Sequence, residues 1–276
     1  MKTILISDPV RYPRMTTQEL RECFLADGLW QPGEIRLNYV DLDRAVVGMA
    51  SPMDGPLTLS SSPELRAGYF TERRELGALN IGGPGAVHVG DAEYDLDNLD
   101  LIYIGRGNPE IRFESRNKQD PAVFYILSYP AHTAHPVSVV RKADAQPTEI
   151  GASATSNRRT IYKYIHMGGA KSCQLVMGVT HLHEGSTWNT MPAHTHMRRS
   201  ELYLYFDVAE NARVFHLMGP PKETRHIVMS NREVVISPGW SIHAGVGTQA
   251  YKFCWGMGGE NQDYADMDPV DLKIML

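Results

Sequence analysis

Residues 193–201 read Ala193-His194-Thr195-His196-Met197-Arg198-Arg199-Ser200-Glu201, and this stretch does most to decide the fold. Side chains alternate along a strand, so His194 and His196 project from one face, about 7 Å apart along the chain. Glu201 has the opposite parity, so it reaches the same side only through a turn or bulge at residues 197–200, or from a neighbouring strand. The stretch therefore indicates strands that bring three metal-binding side chains together.

From Glu201 onward the side chains alternate again. Tyr203 and Tyr205 share its face, and apolar residues at 202, 204 and 206 take the other. This period of two predicts a strand that begins at the third candidate ligand. Residues 234–236 predict another strand, which a Pro-Gly turn ends before the chain reaches His243.

Three imidazoles and one carboxylate suit a divalent metal such as zinc, iron or manganese. Any one of these histidines alone is more typical of a core or surface position, and a His-x-His pair by itself is weak evidence. The nearby Glu201 and the later, turn-framed His243 together predict a metal site. Such a site polarises a carbonyl, which points to small-molecule chemistry.

The composition is that of an ordinary globular protein, with 276 residues, 42% hydrophobic, 21% charged and a formal net charge of −5. The chain has no long run of Lys and Arg, which argues against nucleic-acid binding. The cysteines, Cys23, Cys173 and Cys254, are odd in number and far apart, so no disulfide framework is expected. No stretch suits a signal peptide or a membrane span, and we expect a cytoplasmic protein without a membrane partner.

Hydrophobic periodicity predicts a mainly all-β chain with few short helices. One helix is expected from Thr16 or Thr17, with Glu19 in its first turn and Gly28 at its end. Residues 72–75, with their mixed charges, indicate a helical or looped segment. Strands are expected at residues 35–39, 44–47, 87–89, 101–104, 111–113, 123–127, 160–166, 174–182, 202–207, 213–218, 225–229, 233–236 and 251–255.

Short strands at this spacing are typical of antiparallel sandwiches and jelly-roll barrels. Residues 142–158 are polar and rich in alanine, and they make the best linker candidate. We therefore predict two lobes, a metal-free N-terminal lobe at residues 1–150 and a metal-binding C-terminal lobe at residues 151–276. The acidic tail at residues 260–276 is expected to pack over the second barrel.

The candidate ligands resemble the cupin pattern, in which His-x-His, a nearby Glu and a later His line a small jelly-roll barrel. The glycine before His243 stands one position earlier than in the usual motif. Residues 174–267 resemble one family in particular, the 5-keto-4-deoxyuronate isomerases (4-deoxy-L-threo-5-hexosulose-uronate ketol-isomerases). The stretches that carry this resemblance are residues 188–196, 201–206, 213–219, 223–228, 240–247 and 255–263, with weaker similarity at 8–9 and 36–41.

This resemblance implies a two-lobed cupin with one zinc ion (Zn2+) per subunit, for which Fe2+ or Mn2+ are alternatives, and a homo-oligomer, commonly a hexamer. By position, it assigns the metal ligands to His194, His196, Glu201 and His243. It also implies a role in the bacterial breakdown of pectin-derived uronates. The substrate would be a small keto-uronate, 5-dehydro-4-deoxy-D-glucuronate, and the product 3-deoxy-D-glycero-2,5-hexodiulosonate.

The implied aldose-ketose isomerisation needs a base that carries a proton between adjacent carbons. Glu201 is one catalytic candidate, and Lys163 is another if burial lowers its pKa. The other candidate bases are His166, Tyr203, Tyr205 and Asp266.

The substrate carboxylate needs a cationic partner, and Arg suits carboxylate binding. Arg199 is favoured because it lies near the ligands in sequence. The alternative role for each arginine is an ion pair at a lobe or subunit contact. The remaining candidates are Arg158, Arg159, Arg198 and Arg225.

The first half contains a partial copy of the ligand motif: residues 130–133 read Pro-Ala-His-Thr, as do residues 192–195. A nearby Glu and a later framed histidine are missing there, and His88 stands alone upstream. We therefore expect a structural role for His132 and His135.

Two rival functions stay open for a chain with these ligands. One is an iron dioxygenase, which would consume oxygen and lose activity under anaerobic conditions. The other is a non-catalytic cupin that binds sugar or stores metal, which would bind a ligand tightly without turnover.

Overall fold

Almost all regular structure in the chain is β-strand. The computed structural model describes residues 1–260, 263 and 265–276, so positions 261 and 262 of the last family stretch lie outside the described residues. Within them, the one α-helix, α1, spans Thr17–Phe24. The short 3-10 helices are Tyr12–Arg14, Leu42–Arg44, Pro63–Leu65, Phe70–Glu72, Lys142–Asp144, Ser153–Thr155 and Leu272–Ile274.

The described residues form twenty-four strands. Those of the first half are β1 (Lys2–Ile4), β2 (Leu25–Ala26), β3 (Ile35–Val40), β4 (Val46–Ala50), β5 (Leu57–Thr58), β6 (Arg74–Asn80), β7 (Gly85–Val89), β8 (Ala92–Leu96), β9 (Leu101–Ile104), β10 (Ile111–Ser115), β11 (Phe124–Pro130) and β12 (Ser138–Val140). Those of the second half are β13 (Thr148–Ile150), β14 (Arg159–Ile165), β15 (Val176–Leu182), β16 (Trp188–Asn189), β17 (His194–Thr195), β18 (Arg199–Phe206), β19 (Val214–Gly219), β20 (Arg225–Met229), β21 (Glu233–Ser237), β22 (Ile242–Gly247), β23 (Lys252–Gly259) and β24 (Asp268–Pro269).

Four sheets stack as four layers. Two seven-stranded sheets, in the orders β1-β3-β4-β11-β6-β9-β12 and β13-β14-β15-β23-β18-β21-β2, pack face to face at the centre. The sheet β5-β10-β7-β8 covers the outer face of the first, and β16-β22-β19-β20 covers the second. The first large sheet and its covering sheet β5-β10-β7-β8 are called the first sandwich. The second large sheet and its covering sheet β16-β22-β19-β20 are called the second sandwich. Strands β17 and β24 form a separate two-stranded ribbon.

The alternation of side chains explains how one strand serves two cores. In β18, Tyr203 and Tyr205 point into the second sandwich, whereas Leu202, Leu204 and Phe206 enter the core between the two large sheets. This is the two-faced pattern that the sequence predicts for residues 201–206. The face that carries Glu201 therefore looks into a sandwich interior.

The two sandwiches share one strand order. The run β3-β4-β11-β6-β9 of the first large sheet matches β14-β15-β23-β18-β21 of the second, and the covering sheets match strand for strand. This repetition places β6 where β18 stands in the other sandwich. The two β-rich halves of the sequence therefore correspond to two sandwiches with the same strand order.

Two short strands from residues 1–150 belong to the second large sheet. Strand β2 pairs with β21 of the second large sheet, and β13 pairs with β14. Helix α1 lies against β20 and β21, and the hydroxyl of Tyr12 donates to the carbonyl oxygen of Met218 at 2.8 Å. A division into residues 1–150 and 151–276 stays a proposal, and these segments are the exceptions to it.

The two large sheets approach each other so closely that glycine is required on the facing surface. A Cβ atom on Gly256 would lie 2.1 Å from Cδ2 of Leu127, and one on Gly258 would lie 2.3 Å from Cε1 of Tyr129. Any larger residue would push the sheets apart or displace a buried side chain. The centre of the molecule is therefore packed against β11 with no space for a side chain at either glycine.

One local prediction is wrong at the end of a helix, and another, for residues 72–75, is right at residues 72 and 73 and wrong at residues 74 and 75. Thr16 caps α1 in a capping box with Glu19, as expected, but the helix ends at Phe24 and not at Gly28 because residues 25 and 26 pair with β21. Residues 74 and 75 open strand β6 and not a helix or loop. Both side chains are buried, and their partners come from distant segments of the chain.

Candidate metal centre

The four predicted metal ligands meet inside the second sandwich. His194 lies in β17, His196 follows directly, and a turn at Met197 and Arg198 leads into β18, where Glu201 is the third residue. This turn is what the parity of Glu201 required. His243 is the second residue of β22, on the covering sheet.

The donor atoms of these side chains lie within 4.8 Å of one another. Nε2 of His194 is 3.1 Å from Nε2 of His196 and 2.9 Å from Nε2 of His243. Oε2 of Glu201 is 3.3 Å from Nε2 of His196 and 2.9 Å from Nε2 of His243. Ligand atoms that surround one ion at about 2.0–2.1 Å stand about 3 Å apart, so this spacing suits a divalent metal.

The charge states of the site also suit a metal. Burial, followed by the neighbouring His243, lowers the pKa of His194 to about 3, so its imidazole is neutral at neutral pH and has a lone pair to offer. Burial alone would raise the pKa of Glu201, but His243 and His196 outweigh it and hold that pKa well below its usual range. The site therefore combines a neutral imidazole at His194 with an anionic carboxylate at Glu201, donors that a zinc, iron or manganese ion accepts.

The ligands border a cavity of about 350 Å³. His194, His196 and Glu201 lie in its wall, together with Arg159 and Tyr203, and several apolar side chains complete it. A larger cavity of about 620 Å³, whose wall includes Trp30, Asp120 and Arg232, lies away from these ligands. The smaller cavity is the candidate active site because its wall includes three of the four clustered ligands.

Tyr203 supplies a phenol hydroxyl to the wall of the cavity. Its side chain is fully buried, and burial, followed by the charge of Glu201, raises its pKa well above the usual value. Its hydroxyl oxygen is 3.3 Å from Oγ1 of Thr190, which also borders the cavity. Tyr203 therefore keeps its proton at neutral pH and is able to donate a hydrogen bond.

The arginine favoured from the sequence lies outside the described cavity wall. Arg199 is buried behind His196, where it pairs with Asp266 at 3.0 Å and donates to the carbonyl oxygen of Asp263. Arg159 from β14 borders the cavity instead, and its Nη1 donates to the carbonyl oxygen of Asn157 at 2.8 Å. Sequence proximity to the ligands was a poor guide because the position of Arg199 is decided by the distant Asp266.

The other candidate arginines have structural contacts. Arg158 pairs with Glu149 at the surface, and Arg198 pairs with Asp266 and Glu260. Arg225 donates to the carbonyl oxygen of Met15. None of the three belongs to the described cavity wall.

The remaining candidate bases also lie away from the wall. The described wall takes Arg159 and Ile161 from β14, and Lys163 is two residues further along this strand. The hydroxyl of Tyr205 is 2.8 Å from Nδ1 of the buried His216, inside the sandwich. His166 lies just beyond the end of β14 and is not part of the described wall.

Sequence reasoning missed the threonines of the cavity. Thr190 approaches the hydroxyl of Tyr203, and Thr180 accepts a hydrogen bond from Nε1 of Trp255 at 3.1 Å. Both threonines border the cavity. The available signal for Thr190 was its place in the family stretch at residues 188–196.

The first sandwich holds no comparable cluster among the residues that the structure describes. Nε2 of His88 is 2.8 Å from Oε2 of Glu114, and its Nδ1 is 3.6 Å from Glu93. His132 is exposed and His135 is partly buried. The three cysteines are free thiols. No helix in the described part of the chain is long and apolar enough to cross a membrane.

Sequence comparisons point to one family. A family model described as the KduI/IolB family matches residues 36–273. A 4-deoxy-L-threo-5-hexosulose-uronate ketol-isomerase of Lachnoclostridium phytofermentans is 51% identical over 267 residues, with 97% of each chain covered. One of Shouchella clausii is 49% identical over 265 residues, with 96% of each chain covered.

Structural comparisons agree on the fold. An IolB-like protein from Salmonella typhimurium has a TM-score of 0.70 at 13% identity, covering 90% of this chain and 96% of that one. An oxalate decarboxylase of Lactobacillus farciminis has a TM-score of 0.59 at 12% identity, covering 82% and 79%. At these identities the likeness shows the fold alone, and the predicted two-lobed cupin is confirmed.

Proposed function

The chain belongs to the KduI/IolB family. We propose that it catalyses a ketol-isomerisation with the help of a divalent metal, and that the metal is held by His194, His196, Glu201 and His243. It is an isomerase, more narrowly an intramolecular oxidoreductase, that converts 5-dehydro-4-deoxy-D-glucuronate to 3-deoxy-D-glycero-2,5-hexodiulosonate in uronate degradation. The observation that carries the metal proposal is the convergence of four donor atoms beside a cavity, with four of the six pairs 2.9–3.3 Å apart and all pairs within 4.8 Å.

We propose zinc as the metal, one ion per subunit, with Fe2+ or Mn2+ as alternatives. Three imidazoles and one carboxylate are ligands that zinc accepts, and the isomerisation needs no redox change at the metal. When bound, the ion supplies a Lewis acid that polarises the aldehyde and stabilises the negative charge that develops on its oxygen.

Glu201 and Tyr203 are the groups that handle protons in this proposal. The isomerisation moves one proton from the carbon beside the aldehyde to the aldehyde carbon, and another from the hydroxyl oxygen to the aldehyde oxygen, so the substrate neither gains nor loses electrons. Glu201 is anionic, and we assign it the transfer of the carbon-bound proton, a role in which the accepting carboxylate oxygen is one that does not hold the metal. Tyr203 keeps its proton and donates a hydrogen bond to a substrate oxygen. Lys163 has no role in this assignment because it lies outside the described wall.

Arg159 is the proposed partner of the substrate carboxylate. It is the cationic side chain within the described wall of the cavity, and it is partly buried there. Its hydrogen bond to Asn157 fixes one side of the guanidinium. A carboxylate that enters beside it would gain a charge-assisted hydrogen bond away from bulk water.

The neighbouring Arg158 provides a matched control for Arg159. We expect Arg159→Gln to raise KM by about 10- to 100-fold, the effect of losing one charged hydrogen bond, with metal content unchanged. Arg158→Gln, on the exposed ion pair with Glu149, is expected to leave KM unchanged. Equal KM values for the Arg159→Gln variant and the wild type would remove Arg159 from the substrate site.

An anaerobic assay of the metal-reconstituted protein tests the function. The protein is supplied with the unsaturated-uronate breakdown product, and formation of the diulosonate is measured. We expect turnover without oxygen, and its loss on chelation or in His196→Ala. Undiminished turnover by His196→Ala in the presence of chelator would refute a catalytic metal, and a requirement for oxygen would favour a dioxygenase.

We further propose a cytoplasmic homohexamer that acts on uronates derived from pectin. This part rests on the family resemblance and on the small polar substrate of the relatives. Sedimentation equilibrium of the purified protein tests the hexamer, and a monomer at micromolar concentration would contradict it.

A further inference from the structure

We propose that the C-terminal tail, residues 265–276, is a working part of the metal centre, in which Asp266 positions His196 so that metal binding and tail docking stabilise each other. The inference rests on the metal site proposed above. It gives a role to a segment that supplies no ligand and follows the last strand of the sandwich.

Asp266 faces the ring nitrogen of His196 that points away from the other ligands. Oδ1 of Asp266 is 3.7 Å from Nδ1 of His196, and both atoms are buried without a hydrogen-bond partner in the described part of the chain. A histidine that coordinates through Nε2 carries its proton on Nδ1, so this N–H would point at a carboxylate. A small closure would form the hydrogen bond that fixes the tautomer and orientation of a ligand imidazole.

Two arginines hold Asp266 in this position. Its Oδ2 is 2.9 Å from Nη2 of Arg198 and 3.0 Å from Nη2 of Arg199. Both guanidinium groups therefore approach the same oxygen, and the other oxygen is the one that faces His196. Arg199 is only 4% exposed, so this pair lies out of bulk water, where loss of one partner leaves an uncompensated charge.

The tail also supports the segments that carry the other histidines. Strand β24 pairs with β17, with Pro269 opposite His194, and the backbone N–H of Val270 donates to the carbonyl oxygen of Ala193 at 3.0 Å. The side chain of Val270 packs in a small core with Ile242 and Ala244, which flank His243. The tail thus touches the chain beside all three imidazoles.

Coupling follows from these contacts. An ordered tail holds the imidazoles in the geometry that binds metal, and a bound metal holds the segments against which the tail docks. By linkage, each event raises the affinity of the other by the same factor. The effect of Asp266 should therefore appear in metal affinity itself, and not only in turnover.

The test measures zinc affinity by competition with a chromophoric chelator. We expect Asp266→Asn to weaken zinc binding by about 10- to 100-fold, the range found for carboxylates that orient ligand histidines. The d–d spectrum of the Co2+-substituted variant should also change, because the field at the metal depends on the orientation of His196. Asp268→Asn, the same substitution at an exposed position of the tail, is the matched control and should match the wild type in both measurements.

Arg198→Gln keeps the test decisive if Asp266→Asn fails to fold. Arg198 is 47% exposed on its side chain and is expected to tolerate replacement, with a smaller loss of zinc affinity. If the wild type binds zinc and every variant of the two that folds binds it equally well, the role of the tail is overturned. Wild-type protein that binds no zinc would instead overturn the metal site.

Hydrogen exchange tests the reverse direction of the coupling. Removal of zinc from the wild type should speed amide exchange in peptides from residues 265–276, and peptides from the first sandwich should not respond. Equal exchange of the tail with and without zinc would contradict the coupling.

Discussion

The two sandwiches have the same strand order and opposite interiors. Glu201 is the third residue of β18, and Leu76 is the third residue of the matching strand β6, where it packs in an apolar core. The covering strand β22 contributes His243, whereas the matching strand β10 contributes Ile111 and Phe113. The shared fold therefore does not create the site, and a few interior residues decide which sandwich can hold a metal.

The first residues of the two strands sharpen this contrast. Arg74 opens β6 and is buried against neutral partners, donating to Oγ and the carbonyl oxygen of Ser128 and to the carbonyl oxygen of Arg44. Arg199 opens β18 and is buried against the carboxylate of Asp266. Arg74 therefore bonds only to neighbouring segments of the first half in its described contacts, whereas Arg199 connects the second sandwich to the C-terminal tail beside the metal ligands.

The largest effect is expected when the ligand strand receives the residue of its counterpart. Glu201→Leu should abolish stoichiometric metal binding and reduce kcat/KM by at least about 10³-fold, because the charge that develops in the reaction loses its stabilisation. Metal content by mass spectrometry and initial rates give the result. The control at the matching position, Leu76→Ala, should destabilise the protein by about 2–5 kcal/mol with metal content intact. A Glu201→Leu protein that retains one tightly bound metal would break the comparison.

The second positions of the two strands predict a smaller effect on stability. Glu75 of β6 is buried and accepts hydrogen bonds from the backbone N–H groups of residues 173, 174 and 175, at 2.7–2.9 Å, and from the hydroxyl of Tyr103 at 2.8 Å. In Glu75→Gln, the NH2 group of the new amide would face N–H and O–H groups that need an acceptor. The variant should therefore lose about 3 kcal/mol of unfolding free energy. Chemical denaturation checks this value.

Ser200 occupies the matching position of β18 and is the control. Its hydroxyl makes one contact at 3.4 Å with Tyr129, so Ser200→Ala should cost about 1 kcal/mol or less. Similar losses for the two variants would show that the bonds to the 173–175 loop add little stability.

The smallest effect is an acid sensitivity confined to the second sandwich. Burial, followed by the neighbouring His243, lowers the pKa of His216 to about 3, whereas an unfolded histidine titrates near 6.5. The unfolded chain therefore binds a proton that the folded chain excludes, and stability falls as the pH drops below about 6.5. At pH 5 the loss is about 2 kcal/mol from this residue.

His216→Gln isolates this contribution. Guanidinium unfolding in the presence of EDTA, at pH 7.5 and pH 5.0, should show a loss about 2 kcal/mol smaller in the variant than in the wild type. His88 of the first sandwich, which borders Glu114 at the surface, serves as the control, and His88→Gln should keep the wild-type acid dependence of the second sandwich. An identical loss in His216→Gln and wild type would exclude His216 as the source.

The ligand set could be predicted from the sequence because it depends on local rules. The alternation of a strand, the parity of Glu201 and the Pro-Gly turn before His243 are all contained in short stretches, and the structure brings these residues together. Their role as ligands remains a proposal. The all-β class was equally accessible because strand signals repeat at short intervals.

The remaining features depend on partners that are distant in sequence. Arg199 has the parity to face the cavity, but Asp266, far along the chain, holds it behind His196. Glu75 looks like a surface charge, but its partners at residues 173–175 lie about a hundred positions away. Short-range patterns contain no information about such contacts, so Arg159 could not be ranked above Arg199 and β6 was not recognised as a strand.

The glycines that face β11 have a consequence for the history of the molecule. Gly256 and Gly258 let the backbone of β23 pack directly against the side chains of Leu127 and Tyr129. The first sandwich, which lacks the ligand cluster, therefore provides a surface that is complementary in shape to the second. Removal or reorientation of either half would expose the apolar core between the two large sheets to solvent. A duplicated sandwich that lost its own chemistry, or never had any, would therefore be retained for its shape alone.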